Sequence, residues 1–314
     1  MTIESAKIIE KITHANKILI ITHVNPDGDA LGSAGALSFY FQNQLNKSVD
    51  LFCANAIPEN LQYLNLEKFV IKENDLDLEK YDLLIACDCA DMLRTGIAEK
   101  LSLAKNKTTL INIDHHGTNP LYGDINLVKI ISSTSEIIFS FLQDCQAKLT
   151  PDIANCLMTG VVTDTSYFTN AATTPSSVAM SSTLLNAGAN IKSIVNNTWK
   201  NQTITSLKVW GQVLSKLHFD EEHKIVTAII TEDEAINSEI FDGLANFLTT
   251  IYEANIIVVL RQQGEYVKGS LRTVKDNIDV TKLAKIFGGG GHAKASGFSI
   301  KGKLVRLENG WKII

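Results

Sequence analysis

The 314-residue chain is 45% hydrophobic and 20% charged, a balance typical of soluble globular proteins that argues against a disordered or fibrous chain. No stretch approaches the ~18 uninterrupted apolar residues of a spanning helix, and MTIESAKIIEKITHANK lacks the apolar centre and cleavage site of a signal peptide, so a cytoplasmic protein without a membrane partner is expected. The net charge of −5 divides unevenly, −12 over residues 1–260 and +7 over residues 261–314, which suits a carboxylate-rich half opposed by a basic half that holds an anion, although an uneven solvated surface would give the same count.

Cores tend to divide beyond roughly 250–300 residues, so two domains are expected. The first half alternates apolar runs with amphipathic segments: KILIITH, SVDLFCA, YDLLIACD, TTLINIDHH and CLMTGVVTD. This pattern predicts βαβ units, hence an α/β fold with a mostly parallel sheet flanked by helices. CLMTGVVTD reads equally well as the end of a helix beside that sheet. The five cysteines are scattered and odd in number, which fits a reducing compartment; Cys87 and Cys89 read as neighbours on one strand. Residues 186–218 turn helical and polar, and they contain Trp199 and Trp210, expected to pack between the domains.

The domain boundary is placed near residue 190, giving a catalytic domain over 1–190, a helical linker over 191–218 and a smaller α+β domain over 219–314, with the catalytic cleft between the domains. In the last, KIVTAIIT, NIIVVLRQQ and YVKGSLRT read as strands and ANFLTTIYEA and VTKLAKIF as helices, before GGGGHAKASG.

Each apolar run of the first half ends in polar residues: His23 with Asp27 and Asp29, then Asp88, then Asp114 with His115 and His116, then Asp164. Active sites in parallel sheets lie beyond the carboxyl ends of the strands, where these four segments can meet. NPDGD alone would be an ordinary turn, but the combined supply of ligands is enough for two metal ions. Four clustered aspartates would repel and take up protons unless cations compensated them, and two divalent ions supply +4 against the −4 of Asp27, Asp29, Asp88 and Asp164. Mixed imidazole and carboxylate ligands suit Mn²⁺, with Co²⁺, Zn²⁺ or Fe²⁺ as alternatives. A nearly neutral loaded site accepts an anionic phosphate, and ions ~3.5–4 Å apart can clamp the attacking and leaving oxygens of an in-line displacement. Gly28 is read as the residue that lets the backbone turn, so that the carboxylates on either side of it serve different ions.

DHH at 114–116, together with HVNPDGDALGS, ACDCADMLR, GVVTDTSYF and the terminal GGGGHAKASG, strongly resembles the DHH phosphoesterase family over nearly the whole chain. The resemblance implies one metal held by His23, Asp27 and Asp88 and another by Asp29, Asp88, His115 and Asp164, with Asp88 bridging. It implies that Asp114 orients a ligand and that His116 faces the phosphate, so that His116, Asp88 and Asp29 are the candidate catalytic residues. Arg94 matches the family's substrate-approaching arginine. The C-terminal motif resembles the DHH-associated domain, in which Gly289, Gly290, Gly291 and His292 belong to a glycine-rich loop against the substrate; Arg272 is a further candidate, with Lys268 and Arg261 behind it.

Members of the family that act on long DNA carry extra domains, the membrane-bound cyclic-dinucleotide phosphodiesterases carry spanning helices, and family II pyrophosphatases have a different C-terminal domain. The chain resembles the compact branch of nanoRNases and 3′-phosphoadenosine 5′-phosphate phosphatases. The resemblance therefore implies hydrolysis of RNA oligonucleotides of roughly two to five nucleotides and of 3′-phosphoadenosine 5′-phosphate, without binding of long duplexes. A soluble phosphodiesterase of linear or cyclic dinucleotides and a non-catalytic nucleotide sensor are the alternatives, the complete ligand set favouring catalysis. A homodimer is one expectation for the oligomeric state, which the sequence leaves open.

Overall fold

The computed structural model describes residues 1–234, 243–307 and 310–314. They form two compact units, Met1–Asn201 and Gln202–Ile314. The expected C-terminal domain also includes 235–242 and 308–309, which lie outside the described residues.

In the first unit the order is α1 (Ile3–His14), β1 (Lys17–Ile21), α2 (Gly28–Asn43), β2 (Ser48–Phe52), β3 (Val70–Ile71), β4 (Leu83–Cys87), α3 (Ala98–Ala104), β5 (Thr109–Asp114), β6 (Ile125–Val128), α4 (Thr134–Asp144), α5 (Pro151–Asp164), α6 (Pro175–Asn186) and α7 (Ile191–Thr198). The six strands form one parallel sheet in the order β3-β2-β1-β4-β5-β6. From β1 the chain winds outward one way through β2 and β3, and from β4 the other way through β5 and β6. The reversal opens a crevice between the carboxyl ends of β1 and β4, the place where such sheets bind ligands. Ile21 pairs with Ala86 there, and two residues on from that pair stand His23 and Asp88.

Strand periodicity explains why these runs are apolar throughout. Ile18 and Ile20 of β1 and Leu83 and Ile85 of β4 pack into the core on one face, while Leu19, Ile21, Leu84 and Ala86 pack into the core on the other. Cys87 and Cys89 fall on opposite faces, a departure from the expected pair on one strand. Asp88 between them has left the strand at φ +60°, which breaks the alternation.

Helix α2 is buried along nearly its whole length, and its small residues admit α5. A Cβ on Gly32 would stand 2.5 Å from the Cys156 carbonyl oxygen. CLMTGVVTD, open between strand and helix in sequence, is helical: Thr150 caps α5, accepting from the Ile153 N–H, and Pro151 opens it.

The second unit comprises α8 (Ile204–Leu214), β7 (His218–Asp220), β8 (Ile225–Ile230), α9 (Leu244–Leu248), β9 (Ile256–Gln263), β10 (Tyr266–Arg272), α10 (Thr281–Ile286), β11 (Gly290–His292), β12 (Ala295–Lys301), β13 (Leu304–Leu307) and β14 (Gly310–Ile313). Its main sheet runs β11-β12-β10-β9-β8-β7, antiparallel except for the β8–β9 pair, and β13 and β14 form a separate hairpin. The helix expected over ANFLTTIYEA covers only its first residues.

The stretch 191–218 is not one linker. Ile194 of α7 is buried in the first unit's core, and Val213 and Trp210 of α8 are buried in the second unit's core, so the division falls at 201/202 rather than near 190. Trp199 stacks edge-on against Tyr167 of its own unit at 5.0 Å, and Trp210 lies in the second unit's core beside Phe247. No helix among the described residues is long and apolar enough to cross a membrane.

Candidate metal centre

At the carboxyl edge of the parallel sheet the first unit brings together every histidine and aspartate singled out there in sequence. His23 follows β1. Asp27 caps α2, its Oδ1 accepting from the Asp29 and Ala30 N–H groups at 3.0 Å, while its Oδ2 stands 3.7 Å from His23 Nε2. Asp29 is the second residue of the same helix and is fully buried. Asp88 follows β4, His115 and His116 follow β5, and Asp164 is the last residue of α5.

Asp88 divides its two oxygens. Oδ2 lies 3.5 Å from His23 Nε2, and Oδ1 lies 3.5 Å from His115 Nε2. His115 Nε2 also stands 3.3 Å from Asp164 Oδ2 and 3.9 Å from Asp29 Oδ2. Ligand atoms of His23, Asp27 and Asp88 lie within 4.8 Å of one another, as do those of Asp29, Asp88 and His115. Asp88 is common to both groups. Its left-handed backbone is strain of about 1–3 kcal/mol, of the kind that collects at functional sites.

The donor set fits divalent cations. His23 Nδ1 is 2.9 Å from the Val24 carbonyl oxygen and His115 Nδ1 is 3.3 Å from that of Ile131. A carbonyl only accepts, so each Nδ1 carries the proton and a neutral ring turns the lone pair of Nε2 towards carboxylate oxygens. That arrangement is repulsive unless a proton or a cation lies between. Without cations, protons take the place: burial opposes the charged ring of His23, but the hydrogen bonds and charges of Asp27 and Asp88 outweigh it and push the pKa up to about 11. Burial and the neighbouring Asp88 push Asp29 up to about 7. Asp164 is raised well above the usual carboxylate range by burial and by Asp29, Asp27 and Asp88. Cations compensate such a cluster at neutral pH.

Asp114 holds the ring of His116. Its Oδ1 is 2.8 Å from His116 Nδ1, and its Oδ2 accepts from Asn119 Nδ2 at 2.7 Å. The tautomers of His23 and His115 are set instead by main-chain carbonyls. Burial opposes a charged His116, but the Asp114 hydrogen bond and Asp88 raise its pKa, favouring the doubly protonated ring.

Several contributors carry only a weak local signal in the sequence. Both oxygens of Asp29 are held at the start of α4, Oδ2 by the Thr134 N–H at 2.6 Å and Oδ1 by the Ser135 N–H at 2.9 Å, and the Thr134 hydroxyl donates to Asp88 Oδ1 at 2.8 Å. The pattern Ser133-x-x-Glu136 marks a helix start, and it was the available clue. Gly160 of α5 faces this point: a Cβ there would lie 1.9 Å from Ser135 Oγ and 2.5 Å from Asp29 Oδ1. Gly28 also acts by its lack of a side chain rather than by a turn. It is the first residue of α2, without positive φ, and a Cβ would meet the Thr163 hydroxyl at 2.4 Å.

Arg94 lies on an exposed helical turn whose backbone carbonyl accepts from the Val24 N–H at 2.7 Å, next to the His23 segment. Arg272, Gly289, Gly290, Gly291 and His292 belong to the second unit. Arg272 pairs across β10–β12 with Ala295, which pairs with His292 of β11, so arginine and histidine share one cross-strand row. Arg272 Nε donates to Asn246 Oδ1 at 2.8 Å. The glycine run is not a simple loop, because Gly290 and Gly291 begin β11. Gly291 has φ +133°, and a Cβ on Gly289 would meet the Gly297 carbonyl oxygen at 2.1 Å, so these two glycines serve the hairpin itself; Gly290, like Gly288, faces open space.

Family models match both units: that of the DHH family, N-terminal domain, over residues 17–161, and that of the DHHA1 domain over residues 221–309. A bifunctional oligoribonuclease and PAP phosphatase, NrnA, of Thermus thermophilus is 30% identical over 309 residues, covering 95% of this chain and 89% of that protein. A probable bifunctional oligoribonuclease and PAP phosphatase of Streptococcus mutans is 29% identical over 302 residues, covering 92% and 91%. Among solved structures, an exopolyphosphatase-related protein from Bacteroides fragilis superposes with a TM-score of 0.88 at 26% identity, covering 98% of this chain and 92% of that one. With its parallel-sheet unit, its mixed-sheet DHHA1 unit and the histidine–aspartate cluster in place, the chain belongs to the DHH phosphoesterase family.

Proposed function

We propose that the protein hydrolyses RNA oligonucleotides of roughly two to five nucleotides to mononucleotides and removes the 3′-phosphate of 3′-phosphoadenosine 5′-phosphate, using two divalent cations, Mn²⁺ foremost. The division of the Asp88 carboxylate, one oxygen towards His23 and the other towards His115, is the observation that carries this reading. The names borne by the Thermus and Streptococcus relatives support the substrate class. His23, Asp27 and Asp88 would hold one cation and Asp29, Asp88, His115 and Asp164 the other. When bound, the pair supplies positive charge at the phosphoryl oxygens and lowers the pKa of water at the site.

The chain's own groups do the rest. Asp114 holds His116 through Nδ1, so Nε2 is the atom that would donate a proton to the phosphate or to the leaving oxygen. Arg94 would supply a planar pair of donors to phosphate oxygens. Arg272, His292 and Gly290 would hold the remainder of the nucleotide. The five free cysteines suit a reducing, cytoplasmic setting.

The test is hydrolysis in Mn²⁺ by purified protein on a dinucleotide, a pentanucleotide, a long single strand, cyclic dinucleotides and 3′-phosphoadenosine 5′-phosphate, side by side. Turnover concentrated on the short RNAs and 3′-phosphoadenosine 5′-phosphate is expected. Preference for the long strand or for cyclic dinucleotides would overturn the substrate assignment, and binding without turnover would make the protein a sensor.

A further inference from the structure

We propose that Thr134 is a positioning residue for one of the two cations, the one assigned to Asp29, Asp88, His115 and Asp164. The inference rests on the two-cation reading and goes beyond it by separating the two sites.

Thr134 is the first residue of α4 and is fully buried. Its backbone N–H holds Asp29 Oδ2 and its hydroxyl holds Asp88 Oδ1. These are the oxygens that face His115 Nε2, at 3.9 Å and 3.5 Å. One residue therefore ties together two carboxylates that lie 59 positions apart in sequence, and it fixes the spacing of their centre-facing oxygens. Asp88 Oδ2, which faces His23, receives no such contact from Thr134, and neither does Asp27, which is held by its own helix.

The neighbouring residue points the same way. Ser135 gives its N–H to Asp29 Oδ1. The main chain at the start of α4 thus grips Asp29 from two consecutive residues, each oxygen keeping lone-pair capacity for a cation. The positive end of the helix dipole adds support for the buried carboxylate. Thr134 alone extends the grip, by its side chain, to the carboxylate shared with the other site. Groups that orient metal ligands typically contribute ~10–100-fold to affinity.

Thr134→Val keeps the shape and the backbone N–H but removes the donor to Asp88. Mn²⁺ binding followed calorimetrically on the full chain, without substrate, should show two steps in the wild type. In T134V one step should weaken ~10–100-fold and the other by less than about threefold, and Thr134→Ser should restore the wild-type pattern. Loss of both steps together would indicate a merely structural role and overturn the proposal, as would an unchanged pair or failure of T134S to restore binding. If T134V does not fold, Thr134→Ala makes the same comparison without a branched side chain.

The two readings separate in the wild type. Two bound ions without nucleotide hydrolysis would remove the proposed function and leave the role of Thr134 standing. A single bound ion would remove the two-cation reading, and Thr134 would then stand or fall on whether T134V weakens that ion.

Discussion

Gly160→Ala turns the packing of α5 against Asp29 into a change of sign. Gly160 lies in the interior of a helix, where alanine normally stabilises by ~1 kcal/mol relative to glycine. Here the added Cβ would stand 2.5 Å from Asp29 Oδ1 and 1.9 Å from Ser135 Oγ, whereas ordinary contact begins at 3.4 Å. The carboxylate must retreat by about 1 Å, and overpacking of this kind costs ~1–3 kcal/mol. That movement also stretches the hydrogen bonds from Thr134 and Ser135, each worth ~1.5–3 kcal/mol when the acceptor is charged. A net loss of about 2–4 kcal/mol follows, a fall of roughly 5–15 °C in the unfolding midpoint at ~2–4 °C per kcal/mol. Metal affinity should drop as well, since disturbing the groups that orient a metal ligand typically costs ~10–100-fold. Circular dichroism melts and Mn²⁺ titration measure both. Gly211→Ala is the internal control: Gly211 lies in α8 with nothing within 4 Å of its would-be Cβ, so the same substitution should raise stability. A Gly160→Ala protein that melted at or above the wild-type temperature and kept its metal affinity would refute the packing on which the geometry of Asp29 depends.

Three further outcomes are expected. Asp114→Asn should lower kcat by ~10–100-fold at saturating Mn²⁺ with little change in metal content, because Asp114 holds His116 rather than a metal-facing ring; loss of a cation would contradict this. In metal-free protein, Asp29 titrates near 7 against an ordinary 3.8 and His23 near 11 against 6.5, so the folded state holds protons that the unfolded chain has released. Stability should therefore fall as pH rises from 5 towards 9, and Mn²⁺ should oppose the fall; urea midpoints that rose over this range without metal would contradict the shifts. Arg272→Ala should raise KM for nucleotides about tenfold or more and leave Mn²⁺ stoichiometry intact, and unchanged kinetics would remove Arg272 from the site.

Much of this was legible in the residues because strand periodicity and strand-end chemistry are local. KILIITH and YDLLIACD name their strands by apolar alternation over two buried faces, and the polar residues that follow mark the sheet's carboxyl edge. What was not legible depends on contacts between distant segments. Nothing in SSTSE says that its helix start receives Asp29, since that contact spans 105 positions. A glycine between two aspartates suggests a turn, whereas the constraint on Gly28 comes from Thr163 on another helix. The strand-or-helix ambiguity of CLMTGVVTD could have been reduced from its own flank, where Thr150 and Pro151 spell a helix start. The units divide at 201/202 because α7 and α8 pack into different cores, which the polar helical pattern of 191–218 does not reveal.

The shared role of Asp88 is tested most directly by counting Mn²⁺ ions bound per chain, and the phosphate released from 3′-phosphoadenosine 5′-phosphate, in wild type and Asp88→Ala. A bridge predicts two ions and turnover in the wild type, against loss of both binding steps and of phosphate release in the variant. Two tightly bound ions and normal release in Asp88→Ala would contradict it.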